Sequence, residues 1–95
     1  MNANTIKLNQ IKTTVFSRRL KLARQKAGFS QEKLGVLAGI DEFSASARIN
    51  QYERGKHMPD FQTATRLAEL LAVPTPYPYA DDDDLADWIL NFKKA

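Results

Sequence analysis

The side chains best suited to chemistry lie between residues 46 and 51, where Arg48, Asn50 and Gln51 accompany two small residues, Ser46 and Ala47. Arginine, asparagine and glutamine can each form two hydrogen bonds with the edge of a base in the major groove, which distinguishes one base pair from another. The small side chains beside them would let a helix backbone approach DNA closely. A merely solvated outer face is the alternative, but the combination favours recognition of double-stranded DNA.

Two predicted helices precede this run and must position it. The first begins near Thr14 and ends at Gly28, and the second is capped by Ser30 and ends at Gly39. Apolar residues recur at helical spacing in both. The expected buried positions are Phe16, Leu20, Ala23, Ala27, Leu34, Leu37 and Ala38. Gly35 lies inside the second helix at a cost of about 1 kcal/mol relative to alanine, which predicts that another backbone comes very close there.

The polar run itself is predicted to form a third helix from about Ala45 to Arg54, after a turn over residues 41–44. Ile49 and Tyr52 then face inward, and Gly55 ends the helix. Because an α-helix fits the major groove, two short helices joined by a glycine-bearing turn are the parts of a helix-turn-helix DNA reader.

Two further helices are predicted after the polar run. Asp60 caps a fourth helix that ends at Val73 and Pro74, and the prolines at 74, 76 and 78 predict a stiff, extended connector. The fourth helix buries Ala64, Leu67, Ala68 and Leu71. The acidic residues 81–84 begin a last helix. Its apolar stripe is Leu85, Trp88, Ile89 and Phe92. Five helices without a strand predict an all-α fold.

Charge and composition restrict the class of function. Residues 1–57 hold 11 Lys/Arg and 4 Asp/Glu, whereas residues 58–95 hold 3 and 7, so the front half suits a polyanionic partner. With no cysteine, a single histidine (His57) and no phosphate loop or metal-ligand cluster, we predict no enzyme, no cofactor and no metal. The acidic run fails the spacing of a calcium loop. Apolar runs are too short for a membrane span or a signal peptide, which predicts a cytoplasmic protein.

Several motifs occur together between Phe16 and Pro74. They are Leu20-x-x-Ala23-Arg24, Gly28-Phe29-Ser30-Gln31, Leu34-Gly35-Val36-Leu37-Ala38-Gly39-Ile40, Ile49-Asn50-Gln51-Tyr52-Glu53-Arg54-Gly55 and Pro59. On these residues the segment resembles the Cro/phage-repressor-like (XRE-type) helix-turn-helix family. The resemblance implies a lambda-repressor-like DNA-binding domain of five helices, with the C-terminal helix as an addition that the resemblance does not explain.

The resemblance also implies roles for individual residues. The base-reading positions are Ser46, Ala47, Arg48, Asn50 and Gln51, of which Arg48 and Gln51 have the longest reach. Gln31, Lys56 and His57 match positions that hold the DNA backbone. Arg24 and Glu53 resemble a family pair that ties the first helix to the recognition helix, which would make Arg24 structural rather than a DNA contact.

Two departures from the family pattern affect these expectations. Eight residues separate Ile40 from Ile49, where the family has about four, so either the turn is longer or the recognition helix begins earlier. Gly35 stands where alanine is usual, and we expect the packing to tolerate either residue because both are small.

We therefore predict a flexible tail at residues 1–13, a helix-turn-helix DNA-binding domain at 14–74, and a proline-rich connector with an amphipathic helix at 75–95. The predicted function is transcriptional regulation by occupancy of an operator, with repression favoured. The alternative is a protein-interaction module that uses the C-terminal helix. The apolar stripe of that helix either pairs two chains into a homodimer, which is slightly favoured, or folds back onto the first and fourth helices. A small-molecule effector is left open.

Overall fold

A computed structural model describes residues 14–92, and within this range the chain forms five α-helices and no strand. The helices are α1 (Val15–Ala27), α2 (Gln31–Leu37), α3 (Glu42–Glu53), α4 (Phe61–Leu70) and α5 (Asp83–Asn91), with a short 3-10 helix at Tyr77–Tyr79 before α5. The predicted all-α, five-helix fold is confirmed. No helix in this range is both long and apolar enough to cross a membrane. The expected flexible tail, residues 1–13, lies outside the described residues.

Four of the helices begin at a side chain that accepts a hydrogen bond from the helix backbone. Ser30 and Asp60 cap α2 and α4 as predicted, and Thr14 and Asp82 cap α1 and α5 in the same way. These bonds satisfy N–H groups that have no partner inside the helix. At the start of α4, the backbone N–H and the side chain of Thr63 hold the pKa of the Asp60 carboxyl below its usual value.

The core contains residues from every helix and from the 3-10 segment. Its larger members are Phe16, Leu20, Leu34, Ile49, Tyr52, Leu67, Leu71 and Tyr77. Two predicted core positions are wrong, because Ala27 is exposed at the end of α1 and Leu37 is 42% exposed. The buried residues of α2 are Leu34 and Gly35, and its C-cap residue Ala38 continues the buried face, whereas Leu37 lies at the edge of that face.

The recognition helix α3 begins at Glu42 rather than near Ala45, so the predicted turn over residues 41–44 is wrong. The N-cap residue Asp41 makes no capping bond to the α3 backbone, and one of its carboxylate oxygens instead accepts a hydrogen bond from the Ser44 hydroxyl. The earlier start places Ala45, which is fully buried, in the first turn, where it packs against Gly35 of α2. This close approach is the reason for glycine at position 35.

The proline-rich segment is not the extended connector that its composition predicts. Pro76 has φ −68° and ψ −18°, which is helical, and the chain after it forms the 3-10 helix with Tyr77 and Pro78 buried. Tyr77 packs into the same core as α1 and α4, and the ring of Tyr79 lies 4.9 Å from that of Phe16. Packing of these aromatic rings on α1 therefore folds the segment back onto the domain.

Arg19 of α1 fixes the segment between the 3-10 helix and α5. Its side chain is 5% exposed, its Nε donates to the carbonyl oxygen of Ala80 at 2.9 Å, and its Nη2 donates to Asp83 at 2.9 Å. The guanidinium also lies 5.6 Å from the centre of the Tyr77 ring. Helix α5 is thus anchored to α1 at its first turn by charge and hydrogen bonds.

Candidate nucleic-acid interface

The outer face of α3 carries all five predicted base-reading residues. Ser46, Ala47 and Arg48 are exposed, whereas Asn50 and Gln51 are partly buried. The opposite face is fixed to the core by Ala45, Ile49, Tyr52 and Glu53. Burial on one face thus determines which side chains α3 presents, and Ala47 lies near the centre of the exposed surface.

An ion pair between α1 and the end of α3 sets the orientation of this face. The guanidinium of Arg24 donates to both carboxylate oxygens of Glu53, at 3.0 Å for Nη2, and its Nη1 donates to the carbonyl oxygen of Phe29 at 2.9 Å. The side chains of Arg24 and Glu53 are only 12% and 2% exposed. The hydrogen bonds of the Arg24 guanidinium are therefore made within the protein, and they join α1 to the turn before α2 and to α3.

Gln31, a predicted backbone contact, connects α2 to the same network. Its Nε2 donates to Glu53 at 3.1 Å and to the side-chain oxygen of Asn50 at 3.2 Å. The bond from Gln31 uses one of the two lone pairs of this oxygen and fixes the orientation of the Asn50 amide. No hydrogen bond within residues 14–92 uses the amide NH2 of Asn50, which suits acceptors such as the O6 and N7 atoms of guanine.

Arg48 and Gln51, the predicted base-reading residues with the longest reach, are not engaged as Asn50 is. Within residues 14–92, no hydrogen bond or ion pair occupies the side chain of Arg48 or Gln51. Arg48 is exposed at the flank of α3, and Gln51 lies partly buried beside Ala47 on its outer face. Both side chains keep their full hydrogen-bonding capacity for another molecule.

The loop after α3 places Lys56 and His57 at the surface. Gly55, with φ +73°, ends the helix, and the backbone N–H of Lys56 donates to the carbonyl oxygen of Gln51 at 2.9 Å. The backbone N–H of His57 donates to the same carbonyl oxygen at 3.4 Å. Because these backbone groups close the helix end, only the exposed side chains of Lys56 and His57 can bind phosphate.

Phe43 is a candidate that the sequence prediction missed. It is 96% exposed in the first turn of α3, four residues before Ala47 and therefore on the same face. The prediction assigned this residue to a turn, although the eight-residue spacing from Ile40 to Ile49 was a signal that a further helical turn could be present. An apolar ring at this position can contact the methyl group of thymine.

The predicted dimer face on α5 is only partly covered. Ala86 is fully buried and Ile89 packs on the core, whereas Leu85, Trp88 and Phe92 are 46%, 63% and 56% exposed. The Trp88 and Phe92 rings lie 5.6 Å apart and form one continuous aromatic surface. Of the four stripe residues, only Ile89 joins the core of its own chain.

A short helix, a tight turn and a second helix with a polar outer face form the arrangement of helix-turn-helix DNA readers. The chain belongs to the helix-turn-helix family, whose model (HTH_3) matches residues 20–77. The predicted family is confirmed.

Three known proteins are similar to this chain. The SPbeta prophage-derived uncharacterized HTH-type transcriptional regulator YonR of Bacillus subtilis (strain 168) is 35% identical over 63 residues, which cover 66% of this chain and 55% of YonR. The HTH-type transcriptional regulator ImmR of the same strain is 35% identical over 66 residues, 70% of this chain and 49% of ImmR. The chain thus spans about half the length of these relatives. The crystal structure of transcriptional regulator BswR is 55% identical, with a TM-score of 0.75 over 78% of this chain and 73% of BswR.

Proposed function

We propose that this chain is a sequence-specific, double-stranded DNA-binding transcriptional regulator that acts in the cytoplasm by occupying an operator, with repression as the result. The observation that carries the proposal is the outer face of α3, which the buried Arg24–Glu53 pair and Gln31 hold in a fixed orientation to α1 and α2. The family and the three relatives, all named as transcriptional regulators, support it.

We assign the DNA-binding unit to residues 14–74, with two kinds of contact. Arg48 and Gln51 read bases, Ser46 and Ala47 allow close approach, and Asn50 donates to a purine acceptor. A second set, Gln31, Lys56 and His57, holds the DNA backbone; Gln31 does so through its backbone N–H at the start of α2, because its side-chain NH2 is engaged by Glu53 and Asn50. The division follows the position of each residue in the fold. The first set lies on α3, and the second lies at the start of α2 and in the loop after α3.

The test of this function is selection of bound sequences from a random DNA pool, followed by two substitutions. Gln51→Ala should weaken binding to the selected site by about 1–3 kcal/mol and relax the preference at one base pair. Lys56→Ala is the matched control, because loss of a phosphate contact weakens binding to all sequences alike and lowers the slope of log K against log salt by about 1. Equal loss on every sequence for Gln51→Ala would contradict the base-reading role.

We further propose that two chains pair through the α5 face of Leu85, Trp88, Ile89 and Phe92. A two-fold interface brings the same apolar surface of each chain together, and helix-turn-helix dimers bind half-sites about 34 Å apart. The exposure of Leu85, Trp88 and Phe92 supports a partner, since folding of one chain leaves them in water.

Sedimentation tests the dimer directly. Trp88→Ala should yield monomers and weaken binding to a palindromic site far more than binding to one half-site. Phe61→Ala is the control, since this aromatic residue is 73% exposed at the start of α4, outside the α5 face. A Trp88→Ala variant that remains dimeric, or a wild-type chain that is monomeric at micromolar concentration, would contradict the proposal.

The same exposed face supports a second candidate function, a protein-interaction module in which α5 binds a different protein. The two functions differ in their response to salt. Displacement of counterions from DNA makes binding fall linearly on a log–log plot with salt, whereas binding through an apolar face is insensitive to moderate salt. A chain without sequence preference for DNA that still binds a partner through α5 would favour the second function.

A further inference from the structure

A basic groove lies between α1 and the loop that follows α3. It has a volume of about 880 Å³ and is partly open to solvent. Arg18, Lys21 and Gln25 line one wall, and Arg54 and Lys56 line the other. Four of these five side chains are cationic, and all five are exposed.

Little negative charge within the described residues offsets these cations. Glu53 also lines the groove, but its carboxylate is already paired with Arg24. Arg18 approaches Asp83 at 3.9 Å, a long contact between two exposed side chains that contributes little. Lys21 makes no ion pair within residues 14–92. The groove therefore presents a net positive surface to solvent.

Helix electrostatics accounts for only one wall of the groove. Cations near the end of α3, such as Arg54, are favoured by the negative end of the helix dipole. Arg18 lies in the first turn of α1, near the positive end, and Lys21 lies at the middle of that helix, where neither gains from the dipole. A polyanion in the groove would stabilise the cations of both walls.

The groove begins where the candidate nucleic-acid interface ends. Glu53 touches both regions, because it lines the groove and accepts a hydrogen bond from Gln31 at the start of α2. Arg54 continues the outer face of α3, seven residues after Ala47 and four after Asn50. A DNA strand held by Lys56, which lines the groove, would therefore lie at the groove.

We propose that this groove binds the sugar–phosphate backbone of the DNA that flanks the base pairs read by α3. The proposal rests on the DNA-binding function proposed above and extends the contact beyond the recognition helix to α1. Its partner is a run of phosphates without sequence identity, because the lining offers four cations and an amide, together with the half-exposed Leu22, but no element that could enter a base-pair groove.

The experiment compares two duplexes that contain the same selected site. The short duplex ends at the last base pair whose identity matters, and the long duplex continues for about one further helical turn on each side. Binding is measured over a range of salt for wild type, Lys21→Ala and Lys26→Ala. Lys26 is the matched control, since it is an exposed lysine of the same helix that does not line the groove.

On the long duplex, Lys21→Ala should lower the slope of log K against log salt by about 0.9, so its affinity falls about 3.5-fold less than that of wild type between 50 and 200 mM salt. On the short duplex the slopes should agree, and Lys26→Ala should match wild type on both. Equal effects of Lys21→Ala on the two duplexes, or equal effects of the two lysine variants, would overturn the proposal. A wild-type chain that selects no sequence would overturn the DNA-binding function itself, which is a separate result.

Discussion

Replacement of Gly35 by alanine tests the contact that sets the angle between α2 and the recognition helix. A Cβ atom at this position would lie 2.7 Å from the Cβ, 2.8 Å from the carbonyl oxygen and 2.9 Å from the Cα of Ala45. Carbon atoms in good contact are about 3.5–4.0 Å apart, so α2 and α3 must separate by several tenths of an ångström or more. Two of the three atoms belong to the backbone and cannot move by rotation of a side chain.

The sign of the effect follows from two opposing magnitudes. Alanine in a helix is more favourable than glycine by about 1 kcal/mol, whereas overpacking of a close contact costs about 1–3 kcal/mol. Because the contact is with backbone, we expect the upper part of that range for Gly35→Ala and a net loss of about 1–2 kcal/mol. In a domain of this size the midpoint of thermal unfolding then falls by about 4–16 °C. The short distances to Ala45 contradict the expectation from the sequence that the packing tolerates either residue because both are small.

Urea denaturation and thermal unfolding of Gly35→Ala give the change in stability, and binding to the selected site gives the change in function. DNA affinity should fall with stability, because the separation of α2 from α3 displaces Gln31 relative to Asn50. Gly28→Ala is the control, since nothing lies within 4 Å of its added Cβ and only its φ of +80° is strained. It should lose stability without loss of DNA affinity when folded. A Gly35→Ala variant about 1 kcal/mol more stable than wild type, as helix propensity alone gives, would refute the reasoning.

Three further predictions concern single side chains. Arg24→Ala leaves Glu53 buried without its partner and should lower the free energy of unfolding by about 3–5 kcal/mol in urea denaturation; a loss below about 1 kcal/mol would mean that solvent reaches the pair. The pKa of Asp60 is lower in the folded state, so its stabilising effect is present above the unfolded pKa of about 3.9 and is lost as pH falls through the folded value. Asp60→Asn keeps a capping side chain but cannot titrate, so its unfolding free energy should fall less steeply than that of wild type between about pH 4 and 2, and parallel curves would contradict the assignment. Phe43→Ala should leave stability within about 0.5 kcal/mol yet weaken binding to the selected site, and unchanged affinity would place the first turn of α3 outside the major groove.

The features that sequence predicts well are those decided within a few residues. Ser30 and Asp60 each cap the helix that follows them, because the bond joins residues only three apart. The buried stripes of α1 and α4 follow from helical spacing alone, as at Leu20 and Leu67. The Arg24–Glu53 contact joins residues 29 apart, and its expectation came from the family resemblance rather than from spacing.

The features that sequence missed depend on contacts between distant elements. Asp41 and Ser44 both have the chemistry of helix caps, but α3 begins at Glu42, where Ala45 can pack on Gly35. Asp41 is then the N-cap residue without a capping bond, and Ser44 lies inside the helix. Prolines favour extended chain locally, but the burial of Tyr77 against α1 outweighs that preference. Arginine is usually a surface residue, and Arg19 is buried here because it donates to Ala80 and Asp83. These partners lie more than 60 residues away in the sequence, so local patterns do not predict the burial.

Two arginines of α1 give this helix a mechanical role as a fixed spacer. Arg24 fixes the recognition helix to one end of α1, and Arg19 fixes the start of α5 near the other. In two chains paired through α5, the distance between recognition helices is therefore set by rigid contacts rather than by a flexible linker. One base pair inserted between half-sites rotates them by about 35° and separates them by about 3.4 Å. Such a dimer would tolerate a single operator spacing, and an Arg19→Met substitution would broaden the range of spacings that it accepts.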